Sequence, residues 1–172
     1  MKDARYHAFC ILKEFDRSND RLKFVRDKYY KKTKLVQNDL SRTLVLTNEV
    51  VRWEARLDYW ISSFLSKPIK KLHPSIHIIL RLGYYEAVMD DQIPAHAAVH
   101  SWVELTKKEM GRKFSGLVNA VMRKTEKIDP NQMGKKQSQS QWYSYPQWMF
   151  EKWNNQIGRE KTIQLCDYFN EP

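Results

Sequence analysis

The sequence predicts an all-α fold, and three observations carry that prediction. Apolar residues recur at spacings of three and four, proline and glycine stand where helices start and stop, and three consecutive helical stretches are joined by short turns. The clearest stretch is residues 72–124. Pro74 occupies a first-turn position, where a missing N–H is tolerated, and no turn-forming residue follows until Asp90 and Asp91. Between them Ile76, Ile79, Leu80, Gly83, Tyr84 and Ala87 fall on one face, while Ile78, Leu82 and Val88 lie off it. A helix apolar nearly all round is buried on several sides, so this one is predicted to be the central post.

The next helix is predicted from Pro94 to Gly111, with Ala98, Trp102 and Leu105 as its stripe. Gly111 is a left-handed stop, and Lys107 and Lys108 suit the negative end of the helix dipole. A third helix, Lys113 to Lys124, presents Phe114, Leu117, Val118, Val121 and Met122. Its Gly116 and Ala120, four apart, predict a close approach by another helix. Three such helices with short turns form an antiparallel all-α core.

Upstream, residues 3–15 are predicted to be helical, burying Ala8, Ile11, Leu12 and Phe15 and leaving Lys2, Arg5, Tyr6 and Lys13 to solvent. Residues 21–34 form the sharpest charge feature: seven of fourteen are Lys or Arg, and only Asp27 is acidic. Leu22, Val25 and Tyr29 can hold this stretch to the core. Lys23, Arg26, Lys28, Lys31 and Lys32 then point outward, followed by Lys34, with Phe24, Tyr29 and Tyr30 interleaved as stacking surfaces. Arrays of cations bind phosphates by releasing counterions, and exposed aromatics stack on unpaired bases. The competing reading of such a run is a solvated helix face with its tyrosines packed inward.

A further helix is expected to begin at an Asn38 cap, with Leu40, Leu44, Thr47 and Val51 as its stripe. Another runs from Glu54 to Leu65 through Leu57, Trp60, Ile61 and Phe64, followed by a basic linker, Lys67 to Lys71. Residues 129–141 are polar, aperiodic and interrupted by Pro130 and Gly134, which predicts a mobile linker. Beyond it two short helices are predicted, broken near Gly158. Pro146 opens the first, with Trp148, Met149, Trp153 and Ile157 as contacts; Ile163, Cys166 and Phe169 line the second.

Composition bounds the function. At 172 residues one domain with a short appendage is expected, and 42% hydrophobic residues exclude wholesale disorder. No apolar run reaches the length of a membrane span, and no signal-peptide pattern opens the chain. Cys10 and Cys166, far apart and without CxxC spacing, point to a reducing, cytoplasmic compartment and to no zinc knuckle. Both lie at apolar helical positions, as buried structural thiols do. The five glycines build no phosphate-cradling loop. His96 and His100 have the i, i+4 spacing of a zinc pair but lack a third ligand; they, His73 and His77 are expected to hold no metal. The formal net charge of +10 favours a polyanionic partner.

Two runs carry a family resemblance. RLGYYEAVMDDQIPAHAAVHSWVELTK (81–107) followed by GRKFSGLVNAVMRK (111–124) resembles the signature of the NusB-like domain. More narrowly, it is similar to the N-terminal domain of the RsmB/Sun family of small-subunit ribosomal RNA cytosine-5 methyltransferases. The similarity extends through DLSRTLVLTNEVVRWEARLD (39–58) and back to Arg5. It departs at His100, where the family commonly has Asn, at His73, where it has Asp, and at Trp53.

The resemblance implies an RNA-binding NusB-like bundle over residues 1–128, a linker over 129–141, and a helical connector over 142–172 leading to a methyltransferase domain absent from this chain. YSYPQWMFEKW (143–153) through Asn170-Glu171-Pro172 resembles the segment that precedes that domain. S-adenosylmethionine is expected there and no cofactor here, with no catalytic residue in this chain. Arg5 and Ala8 match the spacing of an RNA-contacting arginine and its alanine, and Asn119 resembles a fixed structural feature. Together, charge and resemblance nominate as RNA contacts Lys2, Arg5, Lys23, Arg26, Lys28, Lys31, Lys32 and Lys34, with a second set at Lys107, Lys108, Arg112 and Lys113. The expected partners are ribosomal RNA and the methyltransferase domain of the same protein, with no membrane. Two alternatives remain: a free-standing NusB-type antitermination factor, and a helical docking module without RNA affinity, its tryptophans making the contacts.

Overall fold

The computed structural model describes residues 3–171, in which ten α-helices and no strand are found. In order they are α1 (Ala4–Phe15), α2 (Leu22–Lys32), α3 (Gln37–Arg52), α4 (Glu54–Ser63), α5 (Pro74–Tyr84), α6 (Ala95–Met110), α7 (Arg112–Met122), α8 (Gln139–Tyr143), α9 (Gln147–Ile157) and α10 (Arg159–Asn170). Among the described residues no helix is long and apolar enough to cross a membrane.

α5 is the central post that its all-round apolarity predicts. Ile76, Ile79, Leu80 and Leu82 are completely buried, and the helix packs against α1, α3, α4, α6 and α7. Pro74 stands in its first turn, and His73 Nδ1 accepts the Ser75 N–H at 3.2 Å. Tyr84 donates its hydroxyl to the Val121 carbonyl at 3.0 Å, so the post is tied to α7 by a polar bond within the core. The close helix approach falls at Gly83, not at Gly116 and Ala120, which are exposed. A Cβ on Gly83 would lie 2.6 Å from Met122 Sδ. Gly111, at φ 90°, both ends α6 and starts α7.

Several expected details are corrected. α3 starts after Val36, so Asn38 sits inside its first turn and caps nothing. Its buried face is Thr43, Leu46, Thr47 and Val50, while Leu44 is exposed and Val51 half-buried. On α7, Leu117 is exposed and Val118, Val121 and Met122 carry the packing. α5 does not continue as α-helix to Asp90: Tyr85–Met89 form a π-helical turn.

The last residues of the stretch expected to be a mobile linker, 129–141, open α8. Ser138 and Gln141 cap it reciprocally, a Ser-x-x-Gln capping box. Gly134 lies directly against the Tyr59 ring. In the tail Phe150 and Cys166 are buried, whereas Trp148, Ile157 and Phe169 are exposed. Arg56 fastens the tail to the bundle. It is buried on α4, its Nε donates to the Trp142 carbonyl, and its guanidinium lies 3.7 Å from the Trp142 ring centroid and 4.4 Å from that of Trp53. Burial lowers its pKa to about 10. Cys10 is half-buried and Cys166 buried, neither in a disulfide, and burial pushes the Cys166 thiol up to about 11.

Candidate nucleic-acid interface

α2 lies along α1, anchored by buried Val25 and by Tyr29, whose hydroxyl is 2.8 Å from His7 Nδ1. With one flank so held, its lysines must face water. Lys23, Lys31, Lys32 and Lys34 are exposed and make no ion pair among the described residues. Lys28 approaches Glu14 at 3.8 Å, but both side chains are largely exposed, and such pairs contribute little. Arg26 is half-buried and donates to Asn48 Oδ1 at 2.6 Å. The positive face of α2 is therefore not neutralised by its neighbours.

The aromatic residues divide. Phe24 is 59% exposed and available for stacking. Tyr29 and Tyr30 are half-buried, and the Tyr30 hydroxyl is sequestered without a hydrogen-bond partner. Burial raises the pKa of both phenols. The expectation of three stacking rings reduces to one.

Arg5 does not point to solvent as expected. Its Nε donates to Glu86 Oε2 at 2.7 Å, and its side chain is only 19% exposed. Glu86 is completely buried in the π-helical turn. It also accepts from Arg42 Nη2 at 2.6 Å and from the Trp102 indole at 2.8 Å. Arg42 pairs with Asp90 as well. Burial alone would lower the Arg42 pKa, but its bonds to the two carboxylates raise it overall. Sequence reasoning missed this cluster; the available signal was one acidic residue in an otherwise apolar helix. Lys2 lies outside the described residues.

The second basic set is partly free. Lys107 pairs with Glu104 at 3.3 Å, whereas Lys108, Arg112 and Lys113 are exposed without an ion pair among the described residues. Between α1 and α6 lies a cavity of about 530 Å³ lined by Arg5, Tyr6, His100 and Lys108, with Glu104 and Glu109 on the same wall. The N-terminal half of α1 thus touches α2 through His7 and the α6 cavity through Tyr6. Of the second basic set, Lys108 lines that cavity.

Among the described residues no three His, Cys, Asp or Glu side chains come together to hold a metal. His77 is tied to Asp58 at 2.6 Å instead, and the His73 ring packs 5.8 Å from that of Phe114. Asn119 forms no buried polar link between helices: it is half-buried, its side chain has no hydrogen-bond partner among the described residues, and it lines a cleft beside α6.

Residues 2–127 match the model of the NusB family. The chain belongs to the NusB family. A probable ribosomal RNA small subunit methyltransferase B from Synechocystis sp. is 32% identical over 99% of this chain, which spans only 39% of that relative's length. A transcription antitermination protein NusB from Marinobacter nauticus is 30% identical over 52% of this chain and 60% of its own length. In a crystal structure of the antitermination factors NusB and NusE in complex with double-stranded RNA, one chain superposes with a TM-score of 0.67. Its identity is 24%, over 73% of this chain and 95% of that one. The NusB match stops at the end of the bundle, while the similarity to the methyltransferase continues through the tail that Arg56 fastens down.

Proposed function

We propose that this chain is the RNA-binding front module of a ribosomal RNA (cytosine-5) methyltransferase, holding small-subunit ribosomal RNA for a catalytic domain that lies outside it. The observation that carries the reading is the extent of similarity. Resemblance to the Synechocystis methyltransferase runs across the bundle, α8, α9 and α10, well past the limit of the NusB match. The bundle contributes affinity and register, not bond-making. Free ammonium groups on α2 meet phosphates, Phe24 offers a stacking face, and the lysines of α6 and α7 extend the footprint. S-adenosylmethionine would be held in the part of the relative's length that this chain does not span.

The Marinobacter relative favours a second reading, an antitermination factor bound to a leader RNA. Parallel titrations with small-subunit ribosomal RNA fragments and with leader RNAs separate the two. Tighter binding to a ribosomal fragment supports the methyltransferase module, and tighter binding to the leader supports the antitermination factor. A third reading, a docking module indifferent to RNA, predicts binding to neither.

A further inference from the structure

A cleft of about 540 Å³ opens between the first half of α6 and the end of α7 with the turn after it. Half-buried Val99 and Val103 supply apolar lining, and half-buried Asn119 lies among them. His96 and His100, one helical turn apart, are exposed at its edge, as are Arg123 and Glu126. None of these five polar side chains has a hydrogen bond or ion pair among the described residues. At Glu86 and Asp58, by contrast, converging polar groups satisfy one another. Five unpartnered groups around one concave, partly apolar space have the character of a ligand site.

We propose that this cleft receives an unpaired RNA nucleotide whose base carries, on its Watson–Crick edge, an exocyclic amine beside a ring acceptor, that is, adenine or cytosine. The proposal rests on the RNA-binding reading above and adds a base-reading subsite to it. The Asn119 amide presents a donor and an acceptor side by side, the complement of an amine next to a ring nitrogen. Glu126 can only accept, so it takes the second amine proton and repels the carbonyl oxygen that uracil presents at that position. The valines exclude water from the base, and the imidazoles of His96 and His100 give it a stacking face. Arg123 is placed for a phosphate. His100 also lines the neighbouring cavity that holds Tyr6 and Lys108. A strand leaving the cleft past His100 therefore runs toward α1 and the lysines of α2.

The test is a fluorescence-anisotropy titration of the 172-residue chain with hexamers of oligo(A), oligo(C) and oligo(U) at fixed salt. Oligo(A) or oligo(C) is expected to bind about tenfold more tightly than oligo(U). Asn119→Ala removes that preference, and Glu126→Gln, isosteric and exposed, narrows it. In NMR spectra the ring signals of His96 and His100 move with the preferred hexamer. Equal binding of all three hexamers, or a preference that survives both substitutions, overturns the subsite. The double variant Lys31→Glu/Lys32→Glu reports on the underlying reading separately: it weakens all three hexamers alike and leaves the preference intact. If the unmodified chain binds no hexamer, both the subsite and the RNA-binding reading fall.

Discussion

Glu86 and Trp102 are both completely buried, and the Trp102 indole donates to the Glu86 carboxylate at 2.8 Å. Because Arg5 and Arg42 bind the same carboxylate, one side chain joins α1, α3, α6 and the π-helical turn that carries it. Removing it takes the buried acceptor from Arg5 and the Trp102 indole and leaves Arg42 with Asp90 alone. Glu86→Ala is expected to lower stability by about 3–5 kcal/mol, read from the urea unfolding midpoint. Glu86→Gln keeps an acceptor for the indole and loses less. An unchanged midpoint in both would show that the cluster contributes nothing to the fold.

Asp58 contributes to the response to acid. Burial pushes its pKa up, but hydrogen bonds from Arg81 and His77 outweigh that, and it sits below its ordinary value of 3.8. Arg81 grips both oxygens, at 2.7 and 2.6 Å, and also reaches Glu54 at 2.7 Å. The unfolded chain takes up this proton first as pH falls. The stabilisation is thus complete above the ordinary value and disappears as pH drops through the lower, folded one. Asp58→Asn is expected to cost about 2 kcal/mol at neutral pH. Its stability falls less steeply than that of the unmodified protein below pH 3.8. Parallel acid limbs in urea titrations from neutral to strongly acidic pH would contradict this.

Arg56 holds the tail by stacking and by a bond to the Trp142 carbonyl. A lysine keeps the charge but not the plane. Arg56→Lys is expected to weaken the attachment by about 1–2 kcal/mol. The readout is hydrogen exchange: faster exchange in α8, α9 and α10, with α5 and α7 unaffected. Uniform acceleration throughout the chain would mean that Arg56 supports the bundle as a whole.

Most of the helical order was legible in the sequence because Pro74, Pro146, Gly111 and Gly158 mark boundaries whatever the tertiary context. The burial pattern within helices was less so. LVLTNEVV in α3 is apolar on too many sides for periodicity to choose between Leu44 and Leu46, and packing against α1 decides it. Trp148 and not Phe150 is an expected contact of α9, yet Phe150 is the buried one. Of the candidate site, the α2 lysines were readable because a charge run needs only one anchored flank. The fate of Arg5 was not, since its acceptor lies 81 residues away and no local pattern links them.

Salt dependence of RNA binding tests the central claim most directly. If exposed Lys23, Lys31, Lys32 and Lys34 meet phosphates, affinity for a single-stranded ribosomal fragment falls with a log–log slope of about −3 against salt. Lys31→Glu/Lys32→Glu then weakens binding and reduces that slope by about 1.4, without moving the urea midpoint. Binding that is undetectable, or indifferent to both salt and this charge reversal, would contradict the account.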